Sequence, residues 1–127
     1  MADAELFSIK GDGTDRQKIN GELMTGGGVR GPVWSPNSAF IAYRADQNTD
    51  SVFELLANAA EGGQNVQLND ASAEVDSFFW SRDSALVGYV SDTNGERGGE
   101  LYVVSPTGSA RRKISGEIED INPVFVW

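Results

Sequence analysis

The sequence predicts an all-β fold built from repeated, four-stranded antiparallel units, and three observations support this prediction. Residues 32–43 return as residues 78–89 at a constant offset of 46 positions, and a third copy starts at Asn122 and reaches its tryptophan at Trp127. Each complete copy joins two apolar, strand-like runs through a Ser-x-Asx-Ser turn. Glycine- and aspartate-rich turns separate the remaining short runs, and no long segment has helical periodicity. A repeat of this length that starts on Trp-Ser-x-Asx is typical of propeller blades.

The chain begins with a predicted β-hairpin. Residues 5–10 loosely alternate apolar and polar side chains, residues 11–15 supply the glycine and aspartate of a tight turn, and residues 16–19 return as a short polar strand. The same hairpin recurs 95 positions later over residues 100–114, and a less regular version covers residues 52–68. These hairpins predict the last two strands of each unit, where a polar strand suits the edge of a sheet.

The repeat start supplies the first two strands of each unit. Residues 39–43 and 85–89 are continuous apolar runs, which is typical of interior strands covered on both faces. With the strands of a unit labelled a to d, the chain runs c-d, a-b-c-d, a-b-c-d, a. The predicted organisation is a single repeat domain in which residues 1–30 end a preceding blade, residues 31–76 and 77–121 form two blades, and residues 122–127 begin another.

Three tryptophans occupy the same position of successive copies. Trp34, Trp80 and Trp127 each close an apolar strand. Stacking against a sugar or a peptide is one interpretation of such residues. Because all three share one register of the repeat, we expect them to fill the core between neighbouring blades.

Composition excludes several classes of function. Nineteen acidic residues against ten basic ones give a net charge of −9, which argues against nucleic acid and anionic membranes as partners. With no histidine and no cysteine, the chain lacks the base of a serine triad, a thiol nucleophile and the usual zinc ligands. No apolar run is long enough to span a membrane, and the N-terminus lacks the features of a signal peptide.

Motifs for catalysis are incomplete. Ser81, Arg82 and Asp83 match the start of the sialidase Asp-box, but Ala85 and Gly88 stand where its glycine and tryptophan belong. Three glycines at 26–28 are followed by a strand, whereas a phosphate-binding loop needs a helix there. The chain is so rich in acidic residues that a glycosidase-like carboxylate pair is easily found by chance. Such a pair is therefore weak evidence for catalysis, and we expect no enzyme activity. The carboxylates that would offer such a pair are Asp76, Asp83, Glu117, Glu119 and Asp120.

One polar loop invites comparison with a calcium site. Asp46, Asn48 and Asp50 have the alternating oxygen spacing with which calcium-binding loops begin. Ser51 and Ala57 then occupy the positions at which such a loop needs a glycine and a bidentate acid. A solvated loop is therefore the favoured interpretation, and neither a metal nor another cofactor is predicted.

The repeat resembles that of TolB-type propellers. Trp34-Ser35-Pro36-Asn37 at the repeat start, followed by a Glu-Leu-Tyr-Val-Val strand, a glycine turn and Arg-Arg-Lys-Ile, follows the order and spacing of the family's blade. The resemblance implies a ring of about six blades, service as a protein-interaction platform, and a periplasmic or secreted parent, with a cytoplasmic location left open. Serine replaces the turn glycine of the family, at Ser38 and Ser84, and none of its catalytic residues maps onto this chain.

We therefore predict a non-catalytic module that binds a protein or small molecule through the loops at one end of its blades. In a four-stranded blade the d–a and b–c loops share that end; here they cover residues 20–31, 46–50, 69–76 and 92–99. The candidate binding side chains in or beside these loops are Arg30, Arg44, Asp46, Asp92 and Arg97. The alternatives are the propeller part of a prolyl-oligopeptidase-like or glycan-active hydrolase or lyase, and an assembly unit without a ligand.

Self-association is also predicted. A ring of about six blades needs far more strands than this sequence supplies. Incomplete blades leave strand edges and apolar faces without partners, and residues 121–127 end on an apolar strand. We expect a homo-oligomer, in its simplest form a two-fold dimer.

Overall fold

The computed structural model describes residues 5–21, 28–46, 52–60, 62, 65–69, 74–92 and 100–113. All regular structure in these ranges is β, in ten strands. The strands are β1 (Phe7–Ser8), β2 (Gln17–Lys18), β3 (Val29–Trp34), β4 (Phe40–Ala45), β5 (Glu54–Ala59), β6 (Val66–Gln67), β7 (Glu74–Trp80), β8 (Val87–Asp92), β9 (Glu100–Val104) and β10 (Arg112–Lys113).

The strands form one hairpin and two four-stranded antiparallel sheets. β1 pairs with β2 to form the N-terminal hairpin, β3 to β6 form sheet 1 in chain order, and β7 to β10 form sheet 2 in chain order. This arrangement confirms the predicted all-β class and the four-stranded antiparallel unit of a propeller blade. The predicted last strand, residues 122–127, lies outside the described residues.

Each sheet begins slightly earlier than the predicted blade boundaries at 31 and 77. β3 starts at Val29 and β7 at Glu74. A register shift follows in each strand, between Arg30 and Val33 and between Val75 and Ser77. These bulges interrupt the alternation of side chains, so the first residues of each strand look like loop in the sequence.

The main core lies between the two sheets. Side chains from sheet 1 and from the turn after it meet side chains of sheet 2, and every member of this cluster is at most 1% exposed. Sheet 1 and the residue after β6 contribute Ala42, Leu55, Ala57 and Leu68, and sheet 2 contributes Val75, Val87, Tyr89 and Val104. The rings of Tyr89 and Tyr102 stack with centroids 5.2 Å apart at the edge of this core.

Sheet 1 is also covered on its opposite face. Ile41, Tyr43, Ala45 and Leu56 pack there against Ile19, with Leu6 and Val29 beside them. Because neighbouring residues of a strand point to opposite faces, Ala42 faces sheet 2 whereas Tyr43 faces the hairpin. Burial of both faces explains why β4 is a continuous apolar run.

The turn after each tryptophan has the same hydrogen bonds in both sheets. In sheet 1, the Ser35 Oγ donates to Asn37 Oδ1 at 2.7 Å and accepts from the Phe40 N–H at 3.0 Å. Asn37 Oδ1 also accepts from the Ala39 N–H at 3.0 Å. In sheet 2, Ser81, Asp83, Ala85 and Leu86 make the same three bonds at the same distances. Short side chains that satisfy the turn backbone hold both hairpins in one shape.

Serine occupies a left-handed position in both turns. Ser38 has φ of 63° and Ser84 has φ of 64°, in a region that glycine adopts at lower cost. The Ser84 Oγ accepts a hydrogen bond of 2.9 Å from the Asn37 N–H. Serine at this position therefore links the turn of sheet 2 to the turn of sheet 1, which glycine cannot do.

A second repeated contact fixes the start of strand c. Asn20 Oδ1 accepts from the Leu6 N–H at 2.7 Å, and Asn69 Oδ1 accepts from the Leu55 N–H at 2.9 Å. In both copies the asparagine follows strand d and lies 14 positions after the amide that it binds. Each asparagine thus ties the ends of its c–d hairpin together.

The tryptophans differ in their environment. Trp80 is half-buried against the main core, and its Nε1–H donates to the Val33 carbonyl oxygen of sheet 1 at 3.0 Å. Trp34 has the equivalent position in sheet 1 but is 45% exposed, because the described strands do not cover it, so a core role for Trp34 stays a prediction. Four strands of sheet 1 lie in front of sheet 2, whereas the hairpin places only two described strands in front of sheet 1. Trp127 lies outside the described residues.

This difference predicts unequal effects of two matched substitutions. Trp80→Ala removes a packed ring and a hydrogen bond between the sheets, so we expect a loss of about 3 kcal/mol in the free energy of unfolding. Trp34→Ala removes a ring that is half in solvent, and should cost less than about 1 kcal/mol in the monomer. Urea unfolding followed by circular dichroism at low protein concentration measures both. Equal losses would contradict the contact between the sheets.

Candidate functional site

The predicted binding face is the end of the sheets at which the d–a loops and the b–c loops lie. We call this end the loop face. Its described part consists of residues 28–30, 44–46, 52–53, 74–76 and 91–92. The a–b and c–d turns lie at the opposite end of the strands, which we call the turn face.

Two arginines lie side by side on the loop face. Arg30 of β3 and Arg44 of β4 are direct partners in the strand register, so their side chains leave the same face of sheet 1. The Arg30 guanidinium lies 4.2 Å from the centroid of the Phe53 ring, a cation–π contact. Like charges directly opposite each other are unfavourable in a sheet. The Phe53 ring offsets part of this repulsion and fixes the position of Arg30.

Arg44 bridges the two sheets. Its Nη1 donates to the carbonyl oxygens of Val75 and Asp76, at 3.1 and 3.2 Å, in the first strand of sheet 2. The side chain is half-buried. Both acceptors belong to the bulge of β7, in which Asp76 is the extra residue and the backbone leaves the regular ladder. Arg44 thus satisfies carbonyls at the bulge, while Arg30 is the exposed member of the pair.

Asp46 lies beneath this surface. It is 4% exposed, and its Oδ1 accepts from the Gly28 N–H at 2.8 Å. This bond joins the end of β4 to the residue before β3. The geometry therefore gives Asp46 a structural contact, and its carboxylate is not presented to solvent.

The other candidates are only partly described. Asp92 is the last residue of β8 and its Cα lies opposite that of Glu74. Arg97, Asn48 and Asp50 lie outside the described residues. The structure thus brings Arg30, Arg44 and Asp46 together at one corner of sheet 1 and places the backbone of Asp92 on sheet 2. A binding role for any of the five candidates stays a prediction.

The described residues hold no metal cluster, and the two described carboxylates among the glycosidase candidates lie apart. No three histidine, cysteine, aspartate or glutamate side chains there lie close enough to hold a metal ion. Asp76 is on the loop face, whereas Asp83 is in the turn beyond the far end of β7. The strand from Asp76 to Trp80 alone spans about 13 Å, which exceeds the about 5–10 Å of catalytic carboxylate pairs. Glu117, Glu119 and Asp120 lie outside the described residues.

A cavity that the sequence did not predict lies between the hairpin and sheet 1, towards the turn face. It has a volume of about 460 Å³. Trp34 and Ile9, which is 57% exposed, supply much of its apolar surface. Lys10 and Asp15 form an ion pair of 3.3 Å at its rim. The remaining lining residues are Ser8, Gln17, Ser38 and Ala60.

Comparison with known proteins identifies the fold. No family model and no curated protein matches the sequence. A solved structure from Agrobacterium tumefaciens, described as a TolB candidate, superposes with a TM-score of 0.59 at 14% identity, over 86% of this chain and 40% of that one. The chain resembles TolB in fold. At this identity the likeness concerns the fold alone, and the chain spans less than half the length of that protein.

Within the residues that the structure describes, no helix has the length and apolar character needed to cross a bilayer.

The matched turns predict a specific dependence of stability on pH. Hydrogen bonds from the Ser81 hydroxyl and the Ala85 N–H hold the pKa of Asp83 below its usual value of 3.8. A lowered carboxyl pKa contributes stability that is present above about pH 4 and is lost as the pH falls towards the folded-state pKa. Asp83→Asn keeps the acceptor, as Asn37 does in sheet 1, but removes the titration. We therefore expect Asp83→Asn to lose less stability than the parent between neutral pH and pH of about 3.

Asn37→Asp is the matched opposite, since it adds a titrating group with the same hydrogen bonds, and it should make the acid decline steeper. Thermal unfolding as a function of pH measures all three proteins. Parallel curves would contradict the role of the ionised Asp83 in the turn.

Proposed function

We propose that this chain is a non-catalytic propeller module that binds a carboxylate-bearing segment of a protein partner at its loop face. The observation that carries the proposal is the paired arrangement of Arg30 and Arg44, with the exposed Arg30 guanidinium held against the ring of Phe53. The binding residue proposed is Arg30, and Arg44 supports it from below.

Charge supports this choice of ligand. Two cationic side chains lie together on a chain whose net charge is −9. A guanidinium offers a planar fork of donors that matches a carboxylate in two parallel hydrogen bonds. An arginine already ordered against a ring loses less rotamer freedom on binding than a freely moving one. An aspartate, a glutamate or a chain-terminal carboxylate of the partner is therefore the complementary group.

The non-catalytic part of the proposal is supported by the available side chains. The sequence has no histidine and no cysteine, and the Asp76 and Asp83 carboxylates lie at opposite ends of β7. The resemblance to TolB-type repeats also favours a protein-interaction role.

The second candidate is the propeller part of a hydrolase or lyase. It is favoured by one observation, that the chain spans only 40% of the TolB candidate that it resembles. The complete reading frame distinguishes the two candidates, since a Gly-x-Ser-x-Gly hydrolase domain in the same polypeptide would favour the enzyme.

The proposal is tested with an array of fluorescein-labelled decapeptides that each carry one Asp or Glu, beside counterparts with Asn or Gln. We expect binders among the carboxylate peptides, no binding of their amide counterparts, and weaker binding at high salt. Arg30→Gln should weaken the binding of these peptides at least about tenfold, since it removes a charge-assisted hydrogen bond.

Arg82→Gln is the matched control, because Arg82 is exposed in the turn after β7, on the turn face. Its affinities should equal those of the parent. The proposal fails if no peptide binds through its carboxylate, or if Arg30→Gln binds as well as Arg82→Gln.

A further inference from the structure

Two hydrogen bonds join equivalent positions of neighbouring sheets. The Trp80 Nε1–H donates to the carbonyl of Val33, the residue before the tryptophan of the preceding repeat. The Ser84 Oγ accepts from the N–H of Asn37, the third residue after that tryptophan. Sheet 2 therefore contacts the backbone of strand a of sheet 1, and of the turn that follows it.

The counterparts of these two side chains in sheet 1 line the cavity. Trp34 and Ser38 are the counterparts of Trp80 and Ser84 at the offset of 46 positions, and both line the cavity of about 460 Å³. Trp34 is 45% exposed. The face of sheet 1 next to the hairpin thus has the groups that receive a strand a, and among the described strands only the hairpin, which supplies strands c and d, lies there.

The sequence of residues 122–127 matches the strand that this cavity would receive. Val126 precedes Trp127 as Val33 precedes Trp34, and the preceding residues are apolar in each copy. The described elements stack in the order hairpin, sheet 1, sheet 2. Residues 122–127 follow sheet 2 in the chain, whereas the cavity lies on the hairpin side of sheet 1. A second copy of the chain can bring this segment to Trp34.

We propose that the cavity between the hairpin and sheet 1 is a docking site for the strand 122–127 of a second copy of this chain, with the Trp34 Nε1–H donating to the carbonyl of Val126 of the second copy. The strand covers Trp34 and Ile9, which are exposed apolar side chains that line the cavity. Each copy gives one strand and receives one, so a two-fold axis closes the pair.

Light scattering on the full chain tests the proposal. The parent protein should be a dimer at high concentration and should dissociate on dilution. Trp34→Ala damages the receiving site, and Val126→Asp places a charge in the donated strand, so each variant should be monomeric. Trp34→Phe keeps an aromatic ring but removes the donor, and should raise the dimer dissociation constant about fivefold. Arg82→Ala, on an exposed turn, should dimerise as the parent does.

Mixing the two monomeric variants separates the proposal from general damage to the fold. Trp34→Ala chains keep an intact strand 122–127, and Val126→Asp chains keep an intact receiving site. We expect the mixture to form a heterodimer through one remaining contact, although each variant alone is monomeric. A monomeric parent at high concentration overturns the proposal. So does a Val126→Asp variant that dimerises as well as the parent, or a mixture that stays monomeric while both variants are folded.

Discussion

A hydrogen bond between the Trp80 indole and the Val33 carbonyl joins the two sheets at the point where their equivalent strands end. The main core lies beside this contact, and the Trp80 ring packs against it. With β7 held against the end of β3, Val87 and Tyr89 of sheet 2 come to lie over Ala42 and Leu55 of sheet 1, and water is excluded from all four. Because the contact is made by a repeated residue to the backbone, the same stacking can be propagated along the chain.

Repetition explains which parts of the fold the sequence predicts. The copy of 32–43 at 78–89 revealed the strands and turn of each unit, since polar atoms in a tight turn need particular short side chains at particular positions. Ser84 departs from the glycine of the TolB-type repeat, and its contact with the Asn37 N–H explains that departure. The asparagine contact at Asn20 and Asn69 is equally regular, but single residues 49 positions apart have no visible pattern without the pairing of their strands.

The remaining features depend on tertiary structure. Trp34 and Trp80 share one sequence context, and only the number of strands in front of each sheet distinguishes an exposed ring from a packed one. The sequence predicts Arg44 and Asp46 as binding residues because they lie at the start of a b–c loop. The carbonyls at the bulge of β7 and the Gly28 N–H, which these side chains bind, become neighbours only in the folded chain. Arg30 is exposed, as the prediction requires, and the Phe53 ring contacts its guanidinium from one side.

The two ends of the sheets divide the proposed roles. Arg30 and Arg44 lie on the loop face, and the cavity beside Trp34 lies towards the turn face. A partner bound at Arg30 therefore does not compete with a second copy docked at Trp34. The surfaces proposed for assembly and for binding are therefore separate.

The central claim, that sheet 2 is aligned on sheet 1 by the bond from the Trp80 indole to the Val33 carbonyl, is tested most directly by hydrogen exchange at the indole groups. In a ¹⁵N-labelled sample at low concentration, with resonances assigned through Trp→Phe variants, the Trp80 Nε1–H should exchange slowly because it is bound to the Val33 carbonyl. The Trp34 Nε1–H should exchange rapidly under the same conditions. If the Trp80 indole exchanges as rapidly as that of Trp34, the two sheets are not joined in this way.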